Sequence, residues 1–259
     1  MIDTHCHLDL ERFDADRAEV IARAEAAGVR GVLVPGIRPA TWRALVELGR
    51  SHVMLRVALG VHPQIVPELA EAEVGDLAAQ IIEATREAGA LAVAVGECGL
   101  DGGTGEHARQ EELFRAHVRA ARELKLPLVV HVLRAHDVAP RILREEKASD
   151  VGGVMHSYSG GAALVPIYRD LGMAFAFAGP VTYPNARRPL EAARVVPGEL
   201  LLAETDAPDQ APAAHQGSRS EPAYVAEVIG GLAAARQTSP EEMARLTTEN
   251  ARRIFRWPP

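Results

Sequence analysis

Apolar segments of strand length alternate with amphipathic segments of helical length along nearly the whole chain. Eight apolar runs predict β-strands at residues 1–6, 29–35, 53–61, 90–96, 126–133, 151–155, 173–179 and 200–203. Apolar residues at helical spacing predict helices at residues 17–27, 41–50, 74–88, 110–125, 138–147, 221–236 and 240–255, the last with Ser239 as its N-terminal cap. Strands and helices therefore alternate throughout.

The predicted strands are almost continuously apolar, as in residues 91–95, which is typical of a parallel sheet covered on both faces. Eight strand–helix units in 259 residues predict an α/β protein, a (β/α)8 TIM-like barrel. No stretch is long enough for an interdomain linker, so we expect one domain over residues 1–259. A doubly wound open sheet is the alternative topology.

Composition narrows the range of functions. The formal net charge of −7 disfavours extended binding along a nucleic-acid backbone, because such binding needs many Lys and Arg contacts to phosphates. The chain does not begin with a basic segment followed by an apolar one, and it has no run of about 18 apolar residues. We therefore expect a soluble cytoplasmic protein with no membrane partner, and no protein partner is indicated. Cys6 and Cys98 are expected to be reduced core residues.

Polar side chains that can bind metal recur where predicted strands end. His5 and His7 end the first strand, and their spacing of two places both on one face of it. Four more candidates lie at or after the ends of later strands: Glu97, His131, His156 and Asp206. Because barrel enzymes build their sites at the C-terminal ends of the strands, we expect all six side chains to converge there.

The donor types predict two divalent metal ions without fixing their identity. Imidazole and carboxylate together suit Zn²⁺ or Mn²⁺, and carboxylate with water suits Mg²⁺. A ligand shared by two ions must offer two oxygens, and Glu97 can do so. The lysines of the chain, Lys125 and Lys147, lie at predicted helix ends, so a modified lysine is not the bridge.

In order and spacing, the motifs of the chain resemble those of the TatD-type metal-dependent deoxyribonucleases. The resemblance runs from Asp3 to Phe255 and rests on His5-Cys6-His7, Gly96-Glu97-Cys98-Gly99-Leu100-Asp101, His131, His156-Ser157-Tyr158-Ser159-Gly160 and Glu204-Thr205-Asp206-Ala207-Pro208.

The resemblance implies a barrel of the metallo-dependent hydrolase type that hydrolyses phosphodiester bonds of DNA, often from a 3′ end. It implies that His5, His7 and Asp206 hold one ion. His131 and His156 are implied to hold the other ion, and Glu97 to contact both.

Further positions extend or limit the resemblance. Gly60-Val61-His62-Pro63 looks like the family's loop after the third strand, and we expect His62 to bind substrate or support the site. The chain departs from the family pattern at four positions, Gly102, Leu133, Arg134 and Ser220. We therefore expect its substrate preference to differ.

Five other histidines are given no role: His52, His107, His117, His136 and His215. Asp137, next to His136, is expected in the first turn of a helix and is also left outside the catalytic set.

The predicted site supports hydrolysis by metal-activated water. Asp206 is the candidate general base and Glu97 the candidate bridging ligand. With an acidic surface and a metal-lined pocket, we expect exonucleolytic trimming of single-stranded or frayed DNA ends, or of short nucleic acids. The alternative is hydrolysis of an ester or amide, including aminoacyl esters on tRNA, because the same water can attack a carbonyl. A metal-binding protein without turnover is a third possibility.

Overall fold

The computed structural model describes residues 1–257, in which strands and helices alternate. The strands are β1 Ile2–Asp3, β2 Gly31–Pro35, β3 Leu55–Leu59, β4 Ala92–Asp101, β5 Leu128–Leu133, β6 Gly153–Met155, β7 Met173–Phe177 and β8 Leu201–Ala203. The helices are α1 Arg17–Ala26, α2 Trp42–Ser51, α3 Glu71–Val74, α4 Leu77–Ala88, α5 His107–Leu124, α6 Ala139–Glu145, α7 Val165–Asp170, α8 Arg187–Val195, α9 Val225–Arg236 and α10 Pro240–Ile254.

The strand order identifies the fold class. The strands follow one another in the sheet in chain order, from β1 to β8, and neighbouring strands run parallel where their pairing is described. A doubly wound sheet reverses its strand order at a switch point, and this chain does not. The predicted (β/α)8 barrel is therefore confirmed and the open-sheet alternative is wrong.

The chain packs into two compact units, and the first comprises residues 1–34, 157–165 and 175 to the end of the described chain. Within it Ile2 pairs with Gly31, and Phe175 pairs with Leu201. Helix α10 begins as predicted, because the Ser239 hydroxyl accepts a hydrogen bond from the backbone N–H of Glu242 at 3.1 Å. The core of this unit is aromatic and aliphatic and includes Phe13, Leu33, Phe175 and Phe255, all buried.

The second unit comprises residues 35–156 and 166–174 and contains β3 to β6. Its longest strand, β4, is buried at every position, and its register against β5 shifts between Val95 and Cys98. Its core includes Leu55, Ile81, Phe114 and Val130, all buried. That the two units make one domain over residues 1–259 stays a prediction.

Three local expectations were wrong. Strand β1 ends at Asp3, because the backbone N–H groups of the following residues do not continue one regular strand pairing. His5 and His7 therefore lie beyond the strand. Strand β4 continues to Asp101, so Glu97 lies inside a strand instead of at its end. Helix α6 begins only at Ala139, so His136 and Asp137 lie in the preceding turn.

Two helices, α7 and α8, were not predicted. Helix α7 has six residues and follows a glycine pair, which leaves too short an apolar pattern to recognise. Helix α8 contains Pro189 in its first turn, where a missing N–H is tolerated although proline usually signals a helix break. Within residues 1–257, none of the helices combines the length and apolar character that a membrane crossing requires.

A buried histidine on α5 supports a loop of the second unit. His117 has no exposed surface, and its Nε2 accepts a hydrogen bond from the backbone N–H of Val61 at 2.9 Å. Its Nδ1 lies 2.6 Å from the carbonyl oxygen of Leu113, so Nδ1 carries the proton and the ring is neutral. Burial lowers the pKa of His117 to about 4. Because Val61 precedes His62, this neutral ring fixes the loop that carries His62.

We expect the free energy of unfolding to fall by about 3 kcal/mol between pH 6.5 and pH 4 through His117 alone. Above pH 6.5 the ring is neutral in both states. Between pH 6.5 and about pH 4, His117 binds a proton in the unfolded chain but not in the folded chain. Urea unfolding of the metal-free protein at several pH values, compared with His117→Gln, measures the effect. The variant keeps an acceptor for Val61 and should lose less stability; parallel curves would contradict the assignment.

Candidate metal centre

Three predicted ligands of the first unit converge. The Nε2 atoms of His5 and His7 lie 3.2 Å apart. The Oδ1 atom of Asp206 lies 3.6 Å from Nε2 of His5 and 3.9 Å from Nε2 of His7. His5 has no exposed surface, and the side chains of the other two are largely buried. Two imidazole nitrogens and one carboxylate oxygen therefore face one another.

This separation fits a bound divalent ion. Ligands at about 2.0–2.1 Å from a tetrahedral zinc ion lie roughly 3.3 Å apart, which is close to the 3.2 Å between the two imidazole nitrogens. The oxygen of Asp206 lies slightly farther away, within the adjustment that a side chain can make. The donor set of two nitrogens and one oxygen also suits Mn²⁺. His5, His7 and Asp206 can therefore hold one ion.

Backbone hydrogen bonds hold the two segments of this donor set together. The N–H of Asp206 donates to the carbonyl oxygen of His5 at 2.9 Å, and the N–H of His7 donates to Ala207 at 2.7 Å. The buried carboxylate of Asp3 adds three hydrogen bonds, two from Thr205 and one from the N–H of His5. Burial raises the pKa of Asp3 to about 8, against the opposing effect of these bonds. Asp3 thereby positions His5 without being a ligand.

A glutamine fixes the other oxygen of Asp206. The side-chain amide of Gln210 donates to Oδ2 of Asp206, and the same amide group is hydrogen-bonded to the Ser157 hydroxyl. The N–H of Ser157 in turn donates to the buried carboxylate of Glu204 at 2.5 Å. Asp206, Gln210 and Ser157 all adopt positive φ, the left-handed region that non-glycine residues seldom occupy. Oδ1 of Asp206 is thus left facing the two imidazoles.

The second unit contains a cluster around Glu97. This carboxylate has no exposed surface, and three imidazole nitrogens surround its Oε1 atom. They are Nε2 of His62 at 2.9 Å, Nδ1 of His131 at 3.1 Å and Nε2 of His156 at 3.3 Å. Ligand atoms of His62, Glu97 and His131 all lie within 4.8 Å of one another, as expected of groups that share an ion. The donor set again suits a divalent transition metal or zinc.

Hydrogen bonding decides which histidine of this cluster is not a ligand. Nδ1 of His62 accepts a hydrogen bond from the N–H of Gln64 at 3.1 Å. A neutral imidazole carries one proton, so it must lie on Nε2, which is 2.9 Å from Oε1 of Glu97. A protonated nitrogen cannot bind metal. This favours His131 and His156 over His62 as ligands and leaves His62 as a hydrogen-bond donor, in line with its expected role in substrate binding.

Asp101 lies beside His131. Its Oδ2 atom is 3.6 Å from Nε2 of His131, an ion-pair distance too long for a direct hydrogen bond, and it accepts a hydrogen bond from Gln64 at 2.8 Å. Burial lowers the pKa of His131, but the carboxylates of Asp101 and Glu97 outweigh burial and raise it to about 9. His131 in turn holds the pKa of Asp101 well below its usual value. A carboxylate in this position orients a ligating histidine and makes it more basic.

Within each unit the structure brings predicted ligands together: His5, His7 and Asp206 in the first, and Glu97, His131 and His156 in the second. The predicted sharing of Glu97 between two ions stays a prediction. Asp101 and Gln210 were missed. Asp101 could have been found, because it follows Glu97 by four residues on one strand and so lies on the same face. No pattern marks Gln210, since its contact depends on the left-handed backbone of the loop.

Comparison with known proteins identifies the family of the chain. The family model described as TatD related DNase matches residues 2–256. The chain belongs to the TatD family. It is 37% identical over 259 residues to YabD of Bacillus subtilis (strain 168), described as an uncharacterized metal-dependent hydrolase, and 99% of each chain is covered. YcfH of Escherichia coli (strain K12), described in the same way, is 36% identical over 98% of this chain and 95% of its own.

A solved structure extends the TatD likeness to three dimensions. The crystal structure of YjjV, a TatD homolog from Escherichia coli K12, matches with a TM-score of 0.91 at 30% identity, covering 100% of this chain and 98% of that one. The protein is therefore a metal-dependent hydrolase of the TatD family with the family's barrel. The clusters around His5 and around Glu97 are the candidate sites for its metal.

We expect Gln210→Leu to weaken metal binding by about 10–100-fold, the usual cost of losing a group that orients a ligand. Without the amide, Asp206 can rotate away from His5 and His7. Isothermal titration with Mn²⁺ or Zn²⁺ measures the affinity, and Gln216→Leu, an exposed residue of the same loop, is the matched control. Equal affinities for the two variants would show that Gln210 does not support the ligand.

Proposed function

We propose that the protein hydrolyses phosphodiester bonds of DNA at chain ends, with two divalent ions as cofactors. The observation that carries the proposal is the presence, in one TatD-family chain, of two buried donor sets of imidazole and carboxylate. The family's description names a DNase. The 3′ direction follows from the sequence resemblance.

Each side chain has a distinct task in this proposal. His5, His7 and Asp206 would hold one ion, and Glu97, His131 and His156 the other. Bound divalent ions supply Lewis acidity, which lowers the pKa of water and neutralises charge on phosphate oxygens. Asp206 would also accept a proton as general base, with Gln210 hydrogen-bonded to its Oδ2 atom. His62 would bind an oxygen of the substrate through its Nε2–H, in place of its contact with Oε1 of Glu97.

The charge of the chain supports action at ends. A protein of net charge −7 lacks the excess of cations that duplex tracking requires, whereas one or two terminal nucleotides need only local contacts. Single-stranded or frayed ends can enter a site at the ends of barrel strands without unwinding a duplex. We therefore infer a substrate of short or single-stranded DNA ends.

We expect linear single-stranded DNA to be shortened one nucleotide at a time from its 3′ end, and chelator to abolish the reaction. Oligonucleotides labelled at the 5′ end, incubated with Mg²⁺, Mn²⁺ or Zn²⁺, give the product ladder. A closed circle of the same sequence is the control and should resist cleavage. Equal cleavage of the circle would rule out the end preference. Hydrolysis of aminoacyl or carboxylic esters, with no nuclease activity under any metal, would replace the proposal by the ester-hydrolase alternative.

We expect Glu97→Ala to reduce the rate at saturating metal by at least about tenfold more than His156→Ala. The proposed role of Glu97 involves both ions, whereas His156 serves one. Rates on the linear oligonucleotide, together with bound metal per chain measured by atomic absorption, test this. Glu19→Ala, an exposed position on α1, is the control for loss of a carboxylate. Similar residual rates and equal metal content in the two site variants would count against a bridging role.

A further inference from the structure

A cleft of about 300 Å³ lies in the second unit beside Asp101, outside the groups assigned above. Its walls come from the end of β4, the first turns of α5 and the turn before α6. Its lining includes Leu100, Asp101, Gly102, Arg134, Asp137 and Val138. The volume is at the lower end of the range of about 300–1,000 Å³ for small-molecule pockets.

The cleft has a rigid wall that depends on glycine. The N–H of Gly102 donates to the carbonyl oxygen of Leu133 at 2.7 Å. A Cβ atom at Gly102 would lie 2.4 Å from the carbonyl oxygen of Arg134, so no larger residue fits without a backbone shift. The buried side chain of Gln110 anchors the glycine loop, donating to Gly105 at 2.8 Å. Gly102, one of the positions at which the chain departs from the family pattern, is therefore part of a fixed cleft wall.

The cleft adjoins the Glu97 cluster through Asp101. One carboxylate oxygen of Asp101 lies 3.6 Å from Nε2 of His131, and the other accepts a hydrogen bond from the N–H of Gly103 at 2.8 Å. A group bound in the cleft would therefore lie next to a side chain that contacts a predicted metal ligand. That is where a part of the substrate adjoining the scissile phosphate must lie.

Two charged groups at the cleft have no partner within residues 1–257. The guanidinium of Arg134 and the carboxylate of Asp137 make no hydrogen bond or ion pair there, although only two residues separate them. Leu100 and Val138 contribute apolar surface to the lining of the cleft. The cleft thus offers a planar donor, an acceptor and an apolar surface.

These features select a nucleobase over a phosphate. The carboxylates of Asp101, Glu111 and Asp137 line the cleft against the single guanidinium of Arg134, so an anion is repelled. A flat ring with apolar faces and a polar edge matches the lining. Guanine has two acceptors, O6 and N7, to which one arginine can donate a pair of hydrogen bonds. Its N–H groups can donate hydrogen bonds to a carboxylate.

We propose that this cleft is a base-binding subsite that prefers guanine in the nucleotide next to the scissile bond. The proposal rests on the proposed nuclease function for its place in the reaction, but base binding itself can be measured without turnover. Gly102 in the cleft wall and the unpaired Arg134 lie at positions where this chain departs from the family pattern.

Binding of the four nucleosides, which carry no phosphate, tests the subsite directly. By isothermal titration we expect guanosine to bind the wild-type protein more tightly than adenosine, cytidine or thymidine. We expect Arg134→Gln and Asp137→Asn each to weaken the binding of guanosine by about 5–150-fold. The control is Arg144→Gln, at an exposed arginine on α6 outside the cleft, which should leave guanosine binding unchanged. Equal binding of all four nucleosides, or none, would overturn the proposal.

Kinetics separate the subsite from the hydrolytic centre. We expect Arg134→Gln and Asp137→Asn to raise KM for oligonucleotides ending in guanine while leaving hydrolysis of bis(p-nitrophenyl) phosphate, which has no base, unchanged. An equal loss on both substrates would mean that the two residues serve the reaction itself and would overturn the proposal. Guanosine binding without any phosphodiester hydrolysis by the wild-type protein would refute the nuclease function and leave the subsite standing.

Discussion

The carboxylate of Glu97, which has no exposed surface, is the constraint on which the candidate site of the second unit depends. Removing a charge from water costs several kcal/mol even after relaxation, unless opposite charges or hydrogen-bond donors compensate. Here His62, His131 and His156 place one nitrogen each within 3.3 Å of its Oε1 atom. Because the three histidines lie in or just after different strands, the parallel sheet is what allows one carboxylate to be surrounded in this way.

The supporting residues give each donor a defined orientation. Gln64 fixes the tautomer of His62, and Asp101 lies against the far nitrogen of His131. In the first unit Asp3 binds the backbone on both sides of the site, and Gln210 occupies one oxygen of Asp206. Each of these contacts removes a rotamer that would turn the donor away. A metal site assembled from such oriented groups loses little entropy when an ion binds.

Differences from the family pattern lie in loops at the strand ends, where barrel enzymes vary their specificity. Gly102 and Arg134 approach each other through their backbones and shape a cleft. Ser220, another position at which the chain departs from the family pattern, is fully buried, and its N–H donates to the carbonyl oxygen of Pro208. Its hydroxyl is therefore not presented to a substrate from solvent.

The sequence by itself determined the fold class and the six candidate ligands, because continuous apolar runs and the residues that follow them are local properties of the chain. It misplaced the end of β4 and the extent of β1, since strand ends depend on hydrogen bonds to neighbouring strands that no local pattern records. Only the tertiary structure decided that Nε2 of His62 is a donor, that Gln210 contacts Asp206, and that His117, on a distant helix, holds Val61. Each of these joins groups whose separation is set by packing and by left-handed backbone in the loops, and periodicity carries no information about either.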